Sequence, residues 1–287
     1  MKRFCVITNR DKEDSNRKAV YIQEYLEQKG GKCLILENRR VISEGVLHYT
    51  EADKIPEETE CVLVLGGDGT MIQAAIDLVH SKLPILGINM GTVGFLTEVE
   101  PQNLERALDL MLQDKYTIEN RIMLRESSVT PTGTSSGKAC YALNDVVLSK
   151  RGDCRLITIK VYINDELADI YRADGLIIST PTGSTAYNLS AGGPIVAPGA
   201  QLMVLTPICS HSLNARSIVL SPEDRISIRL VKWSGGKSYS AVFDGDQVFP
   251  LHYGEKLEIC RAPKYTTLIQ LKNVSFLENI RQKMNRI

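Results

Sequence analysis

The stretch CVLVLGGDGTMIQAAIDLV, residues 61–79, decides the reading of this chain. Its first five residues are continuously apolar, as a strand covered on both faces requires. Three glycines then surround one acidic residue, Asp68, and a mostly apolar run follows from Thr70 to Val79, read as a helix. In open α/β sheets, the turn between such a strand and the next helix is where ligands bind. Free N–H groups and the helix dipole attract anions there, so Gly66, Gly67 and Gly69 suit a phosphate. A carboxylate repels phosphate, so Asp68 needs another explanation. It either binds a divalent cation or takes a proton from an attacking hydroxyl, or it merely completes a Gly-Gly-Asp-Gly turn. The loop is neither of two familiar phosphate motifs. GGKS (235–238) lacks the glycine five residues before Gly236, where Val231 stands, and reads as a hairpin tip; GINMGTVG (87–94) has the wrong spacing for a dinucleotide fingerprint.

Working outward, the same rhythm fills the N-terminal part. RFCVIT (3–8), KCLILE (32–37) and PILGIN (84–89) read as strands, and DSNRKAVYIQEYLEQKGG and PQNLERALDLMLQ (101–113) as helices. In the first helix Ser15 or Asp14 can cap, Ala19, Ile22 and Leu26 share a face, and Gly30 stops the run. This alternation predicts a Rossmann-like parallel α/β domain over residues 1–120. Beyond it, LITIKVYIN (156–164) and RISIRLVKW (225–233) alternate with period 2, with turn signals at Gly235-Gly236 and Asp244-Gly245. That predicts an antiparallel β-sandwich domain over residues 121–265. Residues 179–200 interrupt the pattern with Gly, Ser, Thr and Pro, a composition expected of a functional or disordered loop. The fold class is therefore α/β plus all-β. The tail 266–287 spaces Leu277, Ile280, Met284 and Ile287 on one helical face and is expected to pack back on the N-terminal domain.

Bulk properties narrow the function. A chain of 287 residues holds roughly two domains. Its 34 basic and 34 acidic residues cancel, so no global field draws it to nucleic acid or to a membrane. The first residues turn polar too soon for a signal peptide, and no apolar run reaches the ~18 residues of a membrane span. Seven scattered cysteines without a C-x-x-C fit neither a disulfide framework nor a zinc site, and agree with a reducing cytoplasm. Cys5, Cys61 and Cys260 lie in apolar runs and read as small buried residues. The four histidines are isolated and none pairs with a Ser or Cys motif, which argues against a Ser-His-Asp hydrolase.

Several segments together resemble the NAD kinases: LGGDGTMIQAA, PILGINMGTVGFL, LNDVVLS (143–149), RADGLIISTPTGSTAYNLSAGGPIVAP (172–198) and FDGDQ (243–247). GGDG alone is shared with diacylglycerol and sphingosine kinases and, more loosely, with phosphofructokinases; the long fourth segment distinguishes the families. The resemblance covers roughly residues 60–250. It implies phosphorylation of the adenosine-ribose 2′-hydroxyl of NAD by ATP or polyphosphate with a divalent metal, Mg²⁺ in the first instance, to give NADP. It makes Asp68 the general base. Asn144 and Asp145 would hold dinucleotide hydroxyls and the adenine end, with Asp145 one methylene shorter than the family's usual Glu. Asp174 would accept from the nicotinamide carboxamide, and Arg172 would meet phosphate as a fork. Thr182, Thr185, Ala186, Tyr187, Asn188, Leu189 and Ser190 would line the dinucleotide pocket, with Arg155 and Gln247 as further contacts. Gln73 stands where many members carry Arg or Lys. No protein metal ligand is assigned. The resemblance also implies small-molecule substrates, a cytoplasmic homodimer or homotetramer, and no nucleic acid or membrane partner. Apart from the family, Asp174-Gly175 reads equally as a turn, Asn144-Asp145 as a strand-edge pair and Tyr187 as core packing. A lipid kinase or a non-catalytic NAD(P)-binding sensor are the alternatives.

Overall fold

The structure, a computed structural model, describes the chain except residues 10–12, 39–40, 44–45, 92–93, 128–138, 151–155, 232–238, 253, 272–274 and 285–287, with the side chains of a few adjoining positions also left out. Two compact units divide it. The first comprises Met1–Ser43, Leu47–Arg121 and Thr266–Ile287, the second Glu44–Val46 and Ile122–Tyr265. No helix among the described residues is long and apolar enough to cross a membrane.

The first unit is built from β1 (Arg3–Asn9), α1 (Glu13–Gln28), β2 (Lys32–Asn38), a small ribbon of β3 (Val41–Ser43) and β4 (Val46–His48), β5 (Cys61–Gly66), α2 (Asp68–Asp77), β6 (Ile85–Asn89) and α3 (Leu104–Leu112). Strands β6, β5, β1 and β2 lie side by side and parallel. All six residues of β5 are buried, as an apolar strand covered on both faces must be. Ala19, Ile22 and Leu26 of α1 are fully buried in the core that also holds Leu63, Leu65 and Leu108. Gly30, at φ +80°, ends α1 in the left-handed conformation. The expected cap is not formed: Ser15 is the third residue of the helix and is buried, its hydroxyl 2.8 Å from that of Thr8. The short polar side chain satisfies β1 rather than the helix end.

The second unit contains β7 (Thr117–Glu126, shared with the first), β8 (Tyr141–Ala142), β9 (Asp145–Lys150), β10 (Ile157–Ile163), β11 (Glu166–Ala173), β12 (Gly175–Ser179), α4 (Tyr187–Ser190), β13 (Met203–Ile208), β14 (Ile218–Leu220), β15 (Ile226–Leu230), β16 (Tyr239–Phe243), β17 (Gln247–Leu251) and β18 (Lys256–Gln270). One sheet carries β11, β10, β15 and β18 in that order; the other runs β14-β13-β12-β9-β16-β17. Neighbours within each are antiparallel. Residues of both sheets share one core, with Ile159, Ile228 and Leu257 from the first and Leu176, Met203 and Phe243 from the second. This is the sandwich that period-2 patterning predicts.

Strand β18 passes back into the first unit from Thr266, with Leu268 beside Ile85 of β6. The closing helix α5 (Phe276–Met284) follows. Its expected apolar face is only partly used: Leu277 is 75% exposed, while the side chains of Met284 and Ile287 lie outside the described residues. Cys5 and Cys61 are fully buried as expected, whereas Cys260 is only partly so.

Candidate active site

In the first unit the glycine-rich stretch is the link from β5 to α2. Gly66 ends the strand, Gly67 caps the helix in an extended conformation (φ −103°, ψ −169°), and Asp68 is the first helical residue. None of Gly66, Gly67 and Gly69 adopts a positive φ. Asp68 and Gly69 form the first turn of a helix, where an acidic side chain favours the dipole. A side chain at Gly67 or Gly69 would meet only open space, so packing does not demand glycine there.

The Asp68 carboxylate is held by the turn after β6. Oδ2 accepts the Phe95 N–H at 2.7 Å and Oδ1 the Leu96 N–H at 3.0 Å. A Cβ built on Gly94 would sit 1.8 Å from Asp68 Oδ1, so only glycine admits the carboxylate at this place. Two accepted N–H bonds leave lone pairs on both oxygens, and the group can still take a proton. Asn89, opposite Gly66 in register, is buried, and its Oδ1 accepts the Gly91 N–H. Gln73 lies within α2, partly buried.

In the second unit Asn144 immediately precedes β9 and Asp145 opens it, in the middle of the six-stranded sheet. Asp145 is 5% exposed, which is no ordinary strand-edge position. Its neighbour is Asp244, a residue given no role from sequence beyond its turn. Asp244 and Gly245, at φ +47° and +79°, are the first two of the three residues that link β16 to β17, with Asp246 the third. The Asp244 carboxylate turns in beneath the 143–145 backbone and accepts three N–H groups, from Leu143 at 2.6 Å, Asn144 at 2.8 Å and Asp145 at 3.0 Å. Burial and then the Asp244 charge push Asp145 up to about 7. Burial likewise raises Asp244, against the pull of its three N–H bonds.

The loop that follows β12 is ordered and braced on this same backbone. Thr180 N–H donates to the Asn144 carbonyl at 2.8 Å, and its hydroxyl to that of Leu143 at 2.6 Å. A Cβ on Gly183 would lie 2.1 Å from the Asn144 carbonyl oxygen; glycine permits the close approach. Asn188 is fully buried, donating to Ser184 and Pro194 carbonyls and accepting from Thr206 at 2.7 Å. Its amide is engaged inside the loop and sets the loop's shape. Tyr187 is 46% exposed, so it is not core packing. Thr182 is buried, Thr185 bonds back to the Thr182 carbonyl, Ala186 and Leu189 are partly buried, and Ser190 is exposed. Asp174 is the one residue between β11 and β12, where the chain changes sheets; Arg172 is exposed near the end of β11. Gln247 opens β17, paired with Phe243. Arg155 and Gly235-Gly236 lie outside the described residues.

One chain thus joins a parallel α/β unit with an acidic, glycine-rich helix start to a β-sandwich carrying a second pair of carboxylates, and its relatives are nucleotide phosphotransferases. Residues 5–116 match the ATP-NAD kinase N-terminal domain and residues 143–271 the ATP-NAD kinase C-terminal domain. The NAD kinase of Lachnoclostridium phytofermentans is 41% identical over 286 residues, covering 99% of each chain. That of Agathobacter rectalis is 40% identical over 287 residues, with the same coverage. The chain belongs to the NAD kinase family. Two solved structures share its fold. Yeast NADH kinase complexed with NADH superposes with a TM-score of 0.82 at 21% identity, covering 99% of this chain and 88% of that one. The NAD kinase of Archaeoglobus fulgidus in complex with ATP gives 0.76 at 24%, covering 99% of each. The lipid-kinase alternative finds no support in these relatives.

Proposed function

We propose that this enzyme moves the γ-phosphoryl group of ATP to the 2′-hydroxyl of the adenosine ribose of NAD, with Asp68 as general base. The observation that carries the reading is the Asp68 carboxylate, held by two backbone N–H groups at the start of α2 beside glycines that leave space for phosphate. The hydroxyl proton passes to Asp68. The ribose oxygen bonds the γ-phosphorus, and the bond to the bridging oxygen breaks, leaving ADP. A positioned base contributes ~10²–10⁴ in rate. Asn144 and Asp145 hold the dinucleotide's ribose hydroxyls and adenine end, Asp174 the carboxamide, Arg172 a phosphate, and the 182–190 loop and Gln247 line the remainder. Polyphosphate is the second donor to test. The names of the two solved relatives, bound to NADH and to ATP, support both substrates.

No group of three or more His, Cys, Asp or Glu among the described residues could cage a metal ion. A single carboxylate beside open space fits a Mg²⁺ held chiefly by donor phosphates and water. Bound there, it would neutralise charge on the transferred group. A homodimer or homotetramer is proposed too, supported by edge strand β11, which exposes Leu167 and Ile170. A cytoplasmic location is proposed from the free cysteines among the described residues and the bacterial relatives.

The test is NADP formation by purified protein with NAD, Mg²⁺ and either ATP or polyphosphate, beside Asp68→Asn. Turnover in wild type and a loss of ~10²-fold or more in the variant is the expected result. Full activity in the variant removes Asp68 as base. NAD binding without turnover in wild type leaves a sensor.

A further inference from the structure

The C-terminal helix reaches the catalytic loop through one side chain. The Lys283 ammonium of α5 donates to the Gly94 carbonyl and lies 3.8 Å from the centroid of the Phe95 ring. The Gly94 carbonyl and the Phe95 N–H belong to one peptide unit, and that N–H is the donor to Asp68 Oδ2. A cation on the carbonyl of a peptide polarises it and strengthens its N–H as a donor. It also fixes the orientation of the peptide plane, and with it the adjacent Leu96 N–H that holds Oδ1. Gly94 has no side chain to keep this contact at a distance, and a Cβ there would strike the Asp68 carboxylate. Lysine, turn and aspartate are thus one connected set of contacts.

We infer that Lys283 is a positioning residue for the phosphoryl transfer: through the Gly94–Phe95 peptide it fixes the Asp68 carboxylate in the orientation from which it takes the acceptor's proton. The inference rests on the reading of Asp68 as base. A plain packing role is a poor account of the lysine. Burial alone lowers its ammonium to about 8, with the Asp68 charge acting against that fall, and a half-buried ammonium that only packed would lose hydration without return. Its placement also explains why a helix with a largely exposed Leu277 is kept against the first unit.

The experiment compares wild type with Lys283→Met, Lys283→Gln and Lys283→Arg in steady-state kinetics, with thermal melts of each. Lys283→Met lowers kcat roughly 10-fold or more, because small displacements of a reacting group are costly in rate. KM for NAD stays within about twofold, as expected when only the transition state loses an interaction. Lys283→Arg, which keeps the cation and its donors, recovers most of kcat. A Lys283→Met enzyme with wild-type kcat and an unchanged melt overturns the inference, and so does an arginine variant as slow as the methionine one. Should Lys283→Met fail to fold, Lys283→Gln is read against the same thresholds. Wild-type protein that makes no NADP overturns the underlying reading and this inference with it, whereas wild-type turnover with unaffected variants overturns this inference alone.

Discussion

Replacing Asp244 by Asn tests the coupled carboxylate pair, because it sets two effects of opposite sign against each other. The native carboxylate accepts N–H groups from Leu143 on one oxygen and from Asn144 and Asp145 on the other. Asparagine can keep the pair on its single oxygen, but then turns its own NH₂ toward the Leu143 N–H. One buried donor is left unmatched, at about 1–3 kcal/mol. The substitution also removes the charge that helps to raise Asp145. Both carboxyls titrate higher in the fold than the ordinary value of 3.8. The native state therefore binds more protons than the unfolded chain between about 4 and about 7, and wild-type stability falls as pH rises through that window. The variant lacks one such group and eases the other, so its own decline is shallower. Its deficit is expected to be larger at pH 5, where it amounts to a fall of about 2–12 °C at roughly 2–4 °C per kcal/mol, and smaller at pH 8. Thermal melts followed by circular dichroism at the two pH values and fixed ionic strength read this directly. A deficit that is equal at both, or larger at pH 8, would refute the argument that the two charges repel in a shared buried site.

Two further outcomes follow from the same geometry. NAD affinity should run against stability in pH: in the proposed role of Asp145 as acceptor of ribose hydroxyls, which its ionised form serves best, acidification from pH 8 to 6 weakens binding, by up to about 10-fold per unit below its midpoint. Calorimetric titration of NAD into wild type and Asp145→Asn decides it, and a wild-type Kd as flat as the variant's removes Asp145 from the acceptor site. Gly94→Ala places a methyl group 1.8 Å from Asp68 Oδ1, displacing the carboxylate and lowering kcat by roughly 10²-fold while NAD still binds; kinetics beside that titration check this, and wild-type kcat would show that the turn at 94–96 does not position the base.

Much of the fold is legible in the sequence because its signals are local and mutually consistent. A strand such as Cys61–Leu65 has nowhere to go but the middle of a covered sheet, and the alternation in 156–164 has only one stable partner geometry, a sheet with one buried face. Asp68 is legible as a candidate for a related reason: it follows a buried strand at a glycine-rich helix start, where α/β sheets bind ligands, although the helix dipole alone would also favour an acidic residue there. Asp244 is harder to see. Its Asp-Gly pair is sufficient for a hairpin turn, so local chemistry accounts for it completely and conceals that its carboxylate caps three N–H groups some hundred residues upstream. The cap expected at Ser15 fails in the opposite way, since a hydroxyl that can serve a helix end can equally serve a strand, and only the position of Thr8 decides which.

Lys283 marks the limit of such reading, and the reason is physical. Amphipathic analysis of the tail weighs the apolar face, and on that face Leu277 turns out to be exposed; the informative contact is made by a long flexible chain that any helix surface could carry. Nothing local in QKMNRI distinguishes a solvated lysine from one seated on a carbonyl. The distinction depends on where β18 delivers the chain after Leu268, beside β6, whose own end leads into the 94–96 turn. The pairing of Leu268 with Ile85 brings the tail back beside β6, and a segment that carries little of the family resemblance comes to meet the turn that holds the proposed base.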